Sequence, residues 1–174
     1  SRRTESLLAS LLILARGQRG LVRSRPVDLA EAARVALDSA ASAAAAESVR
    51  LTARLDPAPV DGDAALLERV AANLVENGVR YNRPGGFVEV RTRAGVGSVE
   101  FRVENSGPPI DGADAARLAE PFERLAREAD AKGAGLGLSI VRAVSQAHGG
   151  TVAIEPRAEG GLVVSVRLPR AAAR

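Results

Sequence analysis

Two asparagines set the tightest constraint on how this chain can fold. Asn73 and Asn77 lie four residues apart in NLVENGVRYNRPGG, Asn73 to Gly86, within a segment whose Leu66, Leu67, Val70, Leu74 and Val75 recur at helical spacing. Side chains four apart stack on one face of a helix. Amides on an otherwise apolar helix are costly if they are buried without partners, so the fold must supply something polar or leave them in water. Two readings fit. One is a solvated face followed by a glycine turn. The other is a hard cation, because Mg²⁺ accepts carbonyl and carboxylate oxygens together with phosphates and water. Arg80, one turn beyond Asn77, is well placed for a phosphate.

The rest of the chain alternates helical and strand periods. Asp28 is a good N-cap for a helix from Leu29 to Ala46, with Glu31 three residues on as in a capping box. Val49 to Leu55 alternates as a half-buried strand does, and Pro57 to Gly62 is turn-rich with room for a short strand. Asp63 can cap the asparagine helix, which runs to about Tyr81. Strand patterns cover Phe87 to Arg93 and Ser98 to Val103, and a final hairpin pair covers Thr151 to Pro156 and Gly161 to Leu168. A third helix spans Leu136 to Ala147, after a polar segment from Asp111 to Lys132. The pattern predicts an α+β fold: a two-layer α/β sandwich of three helices on a mixed, mainly antiparallel sheet of about five strands. Ahead of it, Thr4 to Arg16 (TESLLASLLILAR) carries a wide apolar stripe that needs a partner, and Gly17 to Arg25 reads as a break or linker.

Composition excludes several classes of function. With no cysteine among 174 residues, disulfides, thiol catalysis and Cys-ligated zinc are out. The chain has no run of about 18 apolar residues, as a membrane-crossing helix needs. Lys132 is the only lysine, and the net charge is +3 with 2% aromatics. That small excess is carried by arginines with no stacking platform beside them, which favours solvated arginines over nucleic-acid binding.

Three further clusters follow the asparagine helix. VENSGPPI, Val103 to Ile110, places an amide, Asn105, at a strand end beside Gly107, which permits a close backbone approach. EPFERL, Glu120 to Leu125, is a proline turn around a lone aromatic and taken alone reads as a packing anchor. KGAGLGLSIV, Lys132 to Val141, sets Gly133, Gly135 and Gly137 before an apolar helix, so backbone N–H groups and the positive helix end can face an anion. It lacks the Gly-Lys-Ser/Thr ending of a P-loop, and it follows a polar stretch rather than the strand a Rossmann turn needs. His148, the only histidine, ends the last helix in AHGG, where a structural cap is the expected role.

In this order the four clusters resemble the N, G1, F and G2 boxes of the histidine-kinase ATPase domain. That domain belongs to the superfamily shared with type II topoisomerase B subunits, Hsp90 chaperones and MutL proteins. The resemblance spans about Pro26 to Pro169, and the arginine- and alanine-rich composition resembles actinobacterial members. It implies ATP and Mg²⁺ between the helical layer and a flexible lid, with Asn77 on the metal and Asn73 nearby on the same helix face. Arg80 would stand near the phosphates and Tyr81 beside the nucleotide. Gly133, Gly135, Gly137 and Leu138 would line the triphosphate, with Leu136 between them. Phe122 and Arg124 would belong to the lid, and Lys132 is a further phosphate candidate. Asn105, Gly107 and Ile110 form the G1 turn, which departs from the family twice. Asn105 stands where aspartate usually accepts from the adenine amino group, and Pro109 stands where a glycine is common.

The opening segment looks like the end of the second helix of a dimerisation and phosphoacceptor domain, which puts a boundary between residues 1–25 and 26–174. The function implied is that of the ATP-binding catalytic domain of a two-component sensor histidine kinase. It would pass the γ-phosphate to a histidine outside this chain, for relay to a response-regulator aspartate. The implied parent is a homodimer anchored in a membrane, with this part in the cytoplasm. Rival expectations are an anti-sigma-factor-type serine kinase of the same superfamily, or a degenerate nucleotide-binding interaction module.

Overall fold

Alanine sets the spacing of the helical layer. The computed structural model describes residues 24–118 and 136–172. Its elements, in chain order, are β1 (Arg25–Asp28), α1 (Leu29–Ala46), β2 (Arg50–Leu55), β3 (Pro59–Gly62), α2 (Ala64–Arg80), β4 (Phe87–Ala94), β5 (Ser98–Asn105), α3 (Gly112–Arg117), α4 (Leu136–Ala147), β6 (Thr151–Pro156) and β7 (Leu162–Pro169). On α1 the buried residues Leu29, Ala33, Ala36, Ala40 and Ala44 fall at intervals of three and four, so a seam of methyl groups faces inward. Asp28 starts the helix: its Oδ1 accepts from Ala30 N–H at 3.0 Å and from Ala58 N–H at 2.8 Å, which also ties the helix to the chain before β3. Glu31 does not complete a capping box, because its carboxylate is paired with Arg34 one turn on.

Five strands form one sheet in the order β2-β4-β5-β7-β6, parallel between β2 and β4 and antiparallel elsewhere. The predicted mixed, mainly antiparallel sheet is therefore present. Strand periodicity sorts its faces. Val88 and Val90 on β4, Val99, Phe101 and Val103 on β5, and Val164, Val166 and Leu168 on β7 are buried under the helices. Between them Glu89, Arg91, Glu100, Arg102, Glu104 and Arg167 alternate onto the other face, where all six form ion pairs. One face is thus core and the other is charged.

The short strand allowed within Pro57 to Gly62 is present as β3, but its partner β1 and the helix α3 were not foreseen. β1 and β3 pair as a separate two-stranded ribbon, Arg25 opposite Gly62 through Asp28 opposite Pro59. Each strand has four residues and carries a proline, too little pattern for a strand period to show. The six-residue α3 opens the polar segment, with Asp111 Oδ1 accepting from Asp114 N–H at 2.7 Å, so the described residues hold four helices rather than three. The apolar segment Thr4 to Arg16, and the remainder of the polar segment beyond Leu118, lie outside the described residues.

His148 locks the helical layer. Its ring is buried beyond the end of α4, where Nδ1 donates to Val144 O at 2.7 Å and Nε2 accepts from Asp63 N–H at 3.1 Å. Asp63 is itself the N-cap of α2, so one imidazole joins the end of α4 to the start of α2. Gly62 lies flat against the ring, since a Cβ there would sit 2.4 Å from His148 Cδ2. Gly149 closes the helix at φ 71°, the left-handed cap expected of AHGG. Both ring nitrogens are engaged, which is the structural role the sequence predicted. Val144 O also accepts from the backbone N–H of residue 148, so His148→Ala should lower the unfolding free energy by about 2–4 kcal/mol through the orphaned Asp63 N–H and the cavity it opens. A urea melt checks this; a midpoint unchanged from the parent would contradict it.

Candidate functional site

The asparagine helix and the strand end meet across a glycine. Gly78 is buried on α2, and a Cβ placed there would lie 3.1 Å from both Val88 methyls and 3.4 Å from Asn105 Cβ. Without a side chain at this point, α2 rests directly on the ends of β4 and β5. Beside the contact a cavity of about 400 Å³ opens between α2, β5, β7, the turn after β5 and the first turn of α4. Leu74, Val103, Leu162 and Val164 give it an apolar bed, and Asn77, Arg80, Tyr81, Asn82 and Asn105 give it polar groups.

Asn105 occupies the inward register of β5, after Val99, Phe101 and Val103. It is buried, and its Nδ2 donates to Ser106 O at 2.9 Å, which leaves Oδ1 as the acceptor it can offer a ligand. Ser106 is pinned in turn: its Oγ donates to Asn82 Oδ1 at 2.7 Å and accepts from Phe87 N–H at 2.8 Å. Asn82 Nδ2 donates to Gly78 O at 2.8 Å and to Phe87 O at 2.9 Å. The strand end is thus stitched to the end of α2 and the start of β4.

Asn77 stands against the start of α4. A Cβ on Gly137 would lie 3.0 Å from Asn77 Nδ2, so any larger residue would push the amide back from the helix terminus. The pairing of a helix N-terminus with an adjacent side-chain amide can take an anion and its counterion together. Among the described residues no group of three or more His, Cys, Asp or Glu could hold a metal. A cation here would rely on the Asn77 amide oxygen and on oxygens brought by the ligand, a set that suits Mg²⁺.

Of the residues singled out from sequence, Asn77, Arg80, Tyr81, Asn105, Ile110 and Leu138 line this one cavity. Gly107 and Gly137 support it from behind; a Cβ on Gly107 would be 2.7 Å from Tyr81 O. Asn73 is buried one turn earlier on α2 and is not part of the lining, and its Nδ2 is a buried nitrogen without a hydrogen-bond partner. Leu136 opens α4. Phe122, Arg124, Lys132, Gly133 and Gly135 lie outside the described residues. Sequence reasoning missed Asn82, Ser106 and Gly161. Asn82 and Ser106 were in view inside the quoted clusters, but nothing in their spacing ties one to the other.

The turn between β6 and β7 closes the site from the side of β5. Gly160 and Gly161 have φ of 91° and 94°, and Gly161 N–H donates to Pro108 O at 3.0 Å. Next to that turn, Glu104 accepts from Arg157 Nε at 2.8 Å and from Arg102 at 3.0 Å. Burial pushes the Glu104 carboxyl up, but the hydrogen bonds and charges of Arg157 and Arg102 outweigh it and hold the group below its ordinary value.

Comparisons with known proteins find relatives of the chain and of its fold. Residues 62–172 match the model of the family described as "Histidine kinase-, DNA gyrase B-, and HSP90-like ATPase". Sensor protein CutS of Streptomyces coelicolor is 45% identical over 170 residues, which cover 96% of this chain and 41% of CutS. The chain therefore spans about two fifths of that relative's length. The solved structure of the mycobacterial sensor histidine kinase MprB superposes with a TM-score of 0.74 at 28% identity, over 84% of this chain and 97% of that one. Full-length ShkA in complex with AMPPNP gives a TM-score of 0.78 at 26% identity, over 97% of this chain and 36% of ShkA.

The Glu104 ion pairs have a consequence for acid stability. A carboxyl held below its unfolded value contributes stability that is fully present above the ordinary 4.5 and is lost as pH falls through the lower folded value. Melting temperature should therefore drop more steeply below about pH 4.5 in the parent than in Glu104→Gln, which has nothing to protonate there. Thermal melts of both proteins from pH 7 to pH 3 test this, and parallel curves would contradict it.

Proposed function

Because the chain belongs to the histidine kinase-, DNA gyrase B- and HSP90-like ATPase family, we propose that its cavity binds ATP with Mg²⁺ and presents the γ-phosphate to a histidine on another domain of a sensor histidine kinase. The observation that carries this reading is the convergence of Asn77 and the inward-facing Asn105 on one apolar-floored cavity, with Gly137 of the first turn of α4 set against Asn77. An apolar bed with one fixed acceptor suits a flat base with a donor edge, and an amide beside a helix N-terminus suits its phosphates. The relatives support the kinase: CutS is a sensor protein, MprB a sensor histidine kinase, and ShkA holds AMPPNP.

In this reading Asn105 Oδ1 accepts from the 6-amino group of adenine, doing with an amide what the family usually does with a carboxylate. Tyr81, Ile110 and Leu138 flank the base and sugar, with Gly107 behind them. Arg80 and the N–H groups around Leu136 and Gly137 face the phosphates. Asn77 offers its amide oxygen to Mg²⁺, and Asn73 backs it from the same helix. When bound, Mg²⁺ supplies charge neutralisation at the phosphate oxygens. By resemblance, Gly133, Gly135 and Lys132 complete the phosphate site, and Phe122 and Arg124 belong to the lid.

Transfer breaks the bond from the γ-phosphorus to the β–γ bridging oxygen and forms one to an imidazole nitrogen. ADP leaves, and the phosphohistidine goes on to a response-regulator aspartate. Residues of this chain position the reacting atoms rather than attack them, so the isolated chain should bind nucleotide with little turnover. Residues 1–25 are then the end of the dimerisation and phosphoacceptor helix with its linker, and residues 26–174 the catalytic domain of a homodimeric parent. Among the described residues no helix is long and apolar enough to cross a membrane. We place this domain on the cytoplasmic side of a membrane-anchored kinase.

Calorimetric titration with MgATP and MgADP tests the reading. Asn77→Ala should weaken MgATP binding by at least about tenfold, or roughly 1.4 kcal/mol, and should blunt the dependence on Mg²⁺. No binding by the parent at millimolar nucleotide would overturn the nucleotide reading, whereas unchanged binding by the variant would overturn only the role of Asn77. Mixing the chain with a phosphoacceptor domain should then yield acid-labile phosphate.

A further inference from the structure

On the far side of the sheet from the cavity, one arginine is held more tightly than a surface hairpin requires. Arg157 begins the turn between β6 and β7, and its side chain is only 14% exposed. Its Nε donates to Glu104 Oε1 at 2.8 Å, one Nη to Gly160 O at 2.7 Å and the other to Glu159 Oε2 at 2.9 Å. The guanidinium lies over the Phe87 ring, 5.0 Å from its centroid. Successive residues of a strand point to opposite faces, so Glu104 is behind the sheet while Asn105 faces the cavity. Arg157 therefore grips the outer side of the strand end whose inner side is the base contact.

The grip passes to the cavity through backbone. Arg157 N–H donates to Gly161 O at 3.0 Å and Arg157 O accepts from Gly160 N–H at 3.1 Å, which closes the turn into a ring. That ring is pressed onto the Asn105 to Pro109 segment: a Cβ on Gly161 would lie 1.9 Å from Asn105 O, and one on Gly160 would lie 2.3 Å from Gly107 O. Gly161 and Leu162 also line the cavity. The Glu159 contact is at the surface, but the bonds to Glu104 and Gly160 O are part-buried, and a planar fork engaged on both fixes the turn in two directions at once.

We infer that Arg157 is a positioning residue for base recognition: without touching nucleotide, it fixes the height of the Asn105 turn and so the selectivity for a 6-amino over a 6-oxo purine. This rests on the nucleotide-binding reading above. A 6-amino group donates to Asn105 Oδ1, whereas a 6-oxo group presents an acceptor to an acceptor. That discrimination depends on where the turn holds the amide. Affinity owed to phosphates and Mg²⁺ does not.

The test is calorimetry with MgADP and MgIDP on the parent, Arg157→Ala, Arg157→Lys and Glu104→Gln, with melting temperatures measured alongside. The parent should prefer ADP. Arg157→Ala should lose about tenfold in ADP affinity, the scale of one charge-assisted contact, with IDP affinity within about twofold of the parent. Arg157→Lys should recover part of the ratio, because an ammonium can reach Glu104 but cannot also hold Gly160 O and Glu159. Should Arg157→Ala fail to fold, Arg157→Lys and Glu104→Gln carry the same readout through smaller changes. An ADP-to-IDP ratio equal to the parent's in the folded variants overturns the proposal, whatever their melting temperatures. If the parent binds neither nucleotide, the nucleotide reading falls and this proposal with it; if the parent binds and only the ratio is unmoved, this proposal alone falls.

Discussion

Where α2 crosses the ends of β4 and β5, Gly78 brings a helix backbone against Val88 and Asn105, and the depth of the cavity follows from that approach. A methyl group at Gly78 would enter the space of the Val88 methyls at 3.1 Å, so the helix would have to ride further from the sheet. Asn82, four residues on, could then no longer donate both to Gly78 O and to Phe87 O, and Ser106 would lose the acceptor it shares with Asn82. Glycine recurs for the same reason around the site: Gly86, Gly107, Gly137 and Gly161 each stand where a Cβ would meet another group at 3.0 Å or less. Close backbone contacts let small motions of one element reach the next, because there is no long side chain between them to absorb the shift.

Much of this was legible in the sequence because its signals are local. Three helices and the five strands of the main sheet announce themselves by period. Asp28 and Asp63 both cap as their positions predict, with 3.0 Å and 3.2 Å bonds to Ala30 and Leu66. Asn73 and Asn77 stood out as amides on an otherwise apolar helix, and Asn105 as an amide at a strand end beside a glycine. What stayed hidden is non-local. The hydrogen bond from Asp63 to His148 joins residues 85 apart, and that from Arg157 to Glu104 joins residues 53 apart. No pattern within a window carries such pairings. β1 and α3 were hidden for another reason: each piece is too short for a period to be counted.

The arginine content finds its place on the outer face of the sheet. Arg54, Arg91 and Arg102 stand directly opposite one another across β2, β4 and β5, a row of like charges that by itself would destabilise the sheet. Glu89 and Glu104 form the adjacent row and pair with Arg91 at 2.8 Å and Arg102 at 3.0 Å. Alternating rows of opposite sign turn the repulsion into a lattice, though exposed pairs of this kind contribute little each. The face is balanced rather than basic, consistent with solvated arginines and with the net charge of +3.

Glu104 is where that lattice meets the site. It is the last outward residue of β5, shared between Arg102 on its own strand and Arg157 on the hairpin, and the next residue is the inward Asn105. With 23% of its side chain accessible, this carboxylate and its two arginine pairs are screened less than fully exposed ones would be. The two sides of the cavity are therefore held differently. Around Asn105 the position is fixed by a closed set of hydrogen bonds running through Ser106, Asn82, Gly161 and Arg157. Around Asn77 the described contact is one of shape, an amide against Gly137 in the first turn of α4. For the proposed phosphoryl transfer that division is physically sensible. A base held rigidly at one end gives the phosphates a fixed origin, and phosphate oxygens then need only short, adjustable contacts to reach a reacting position.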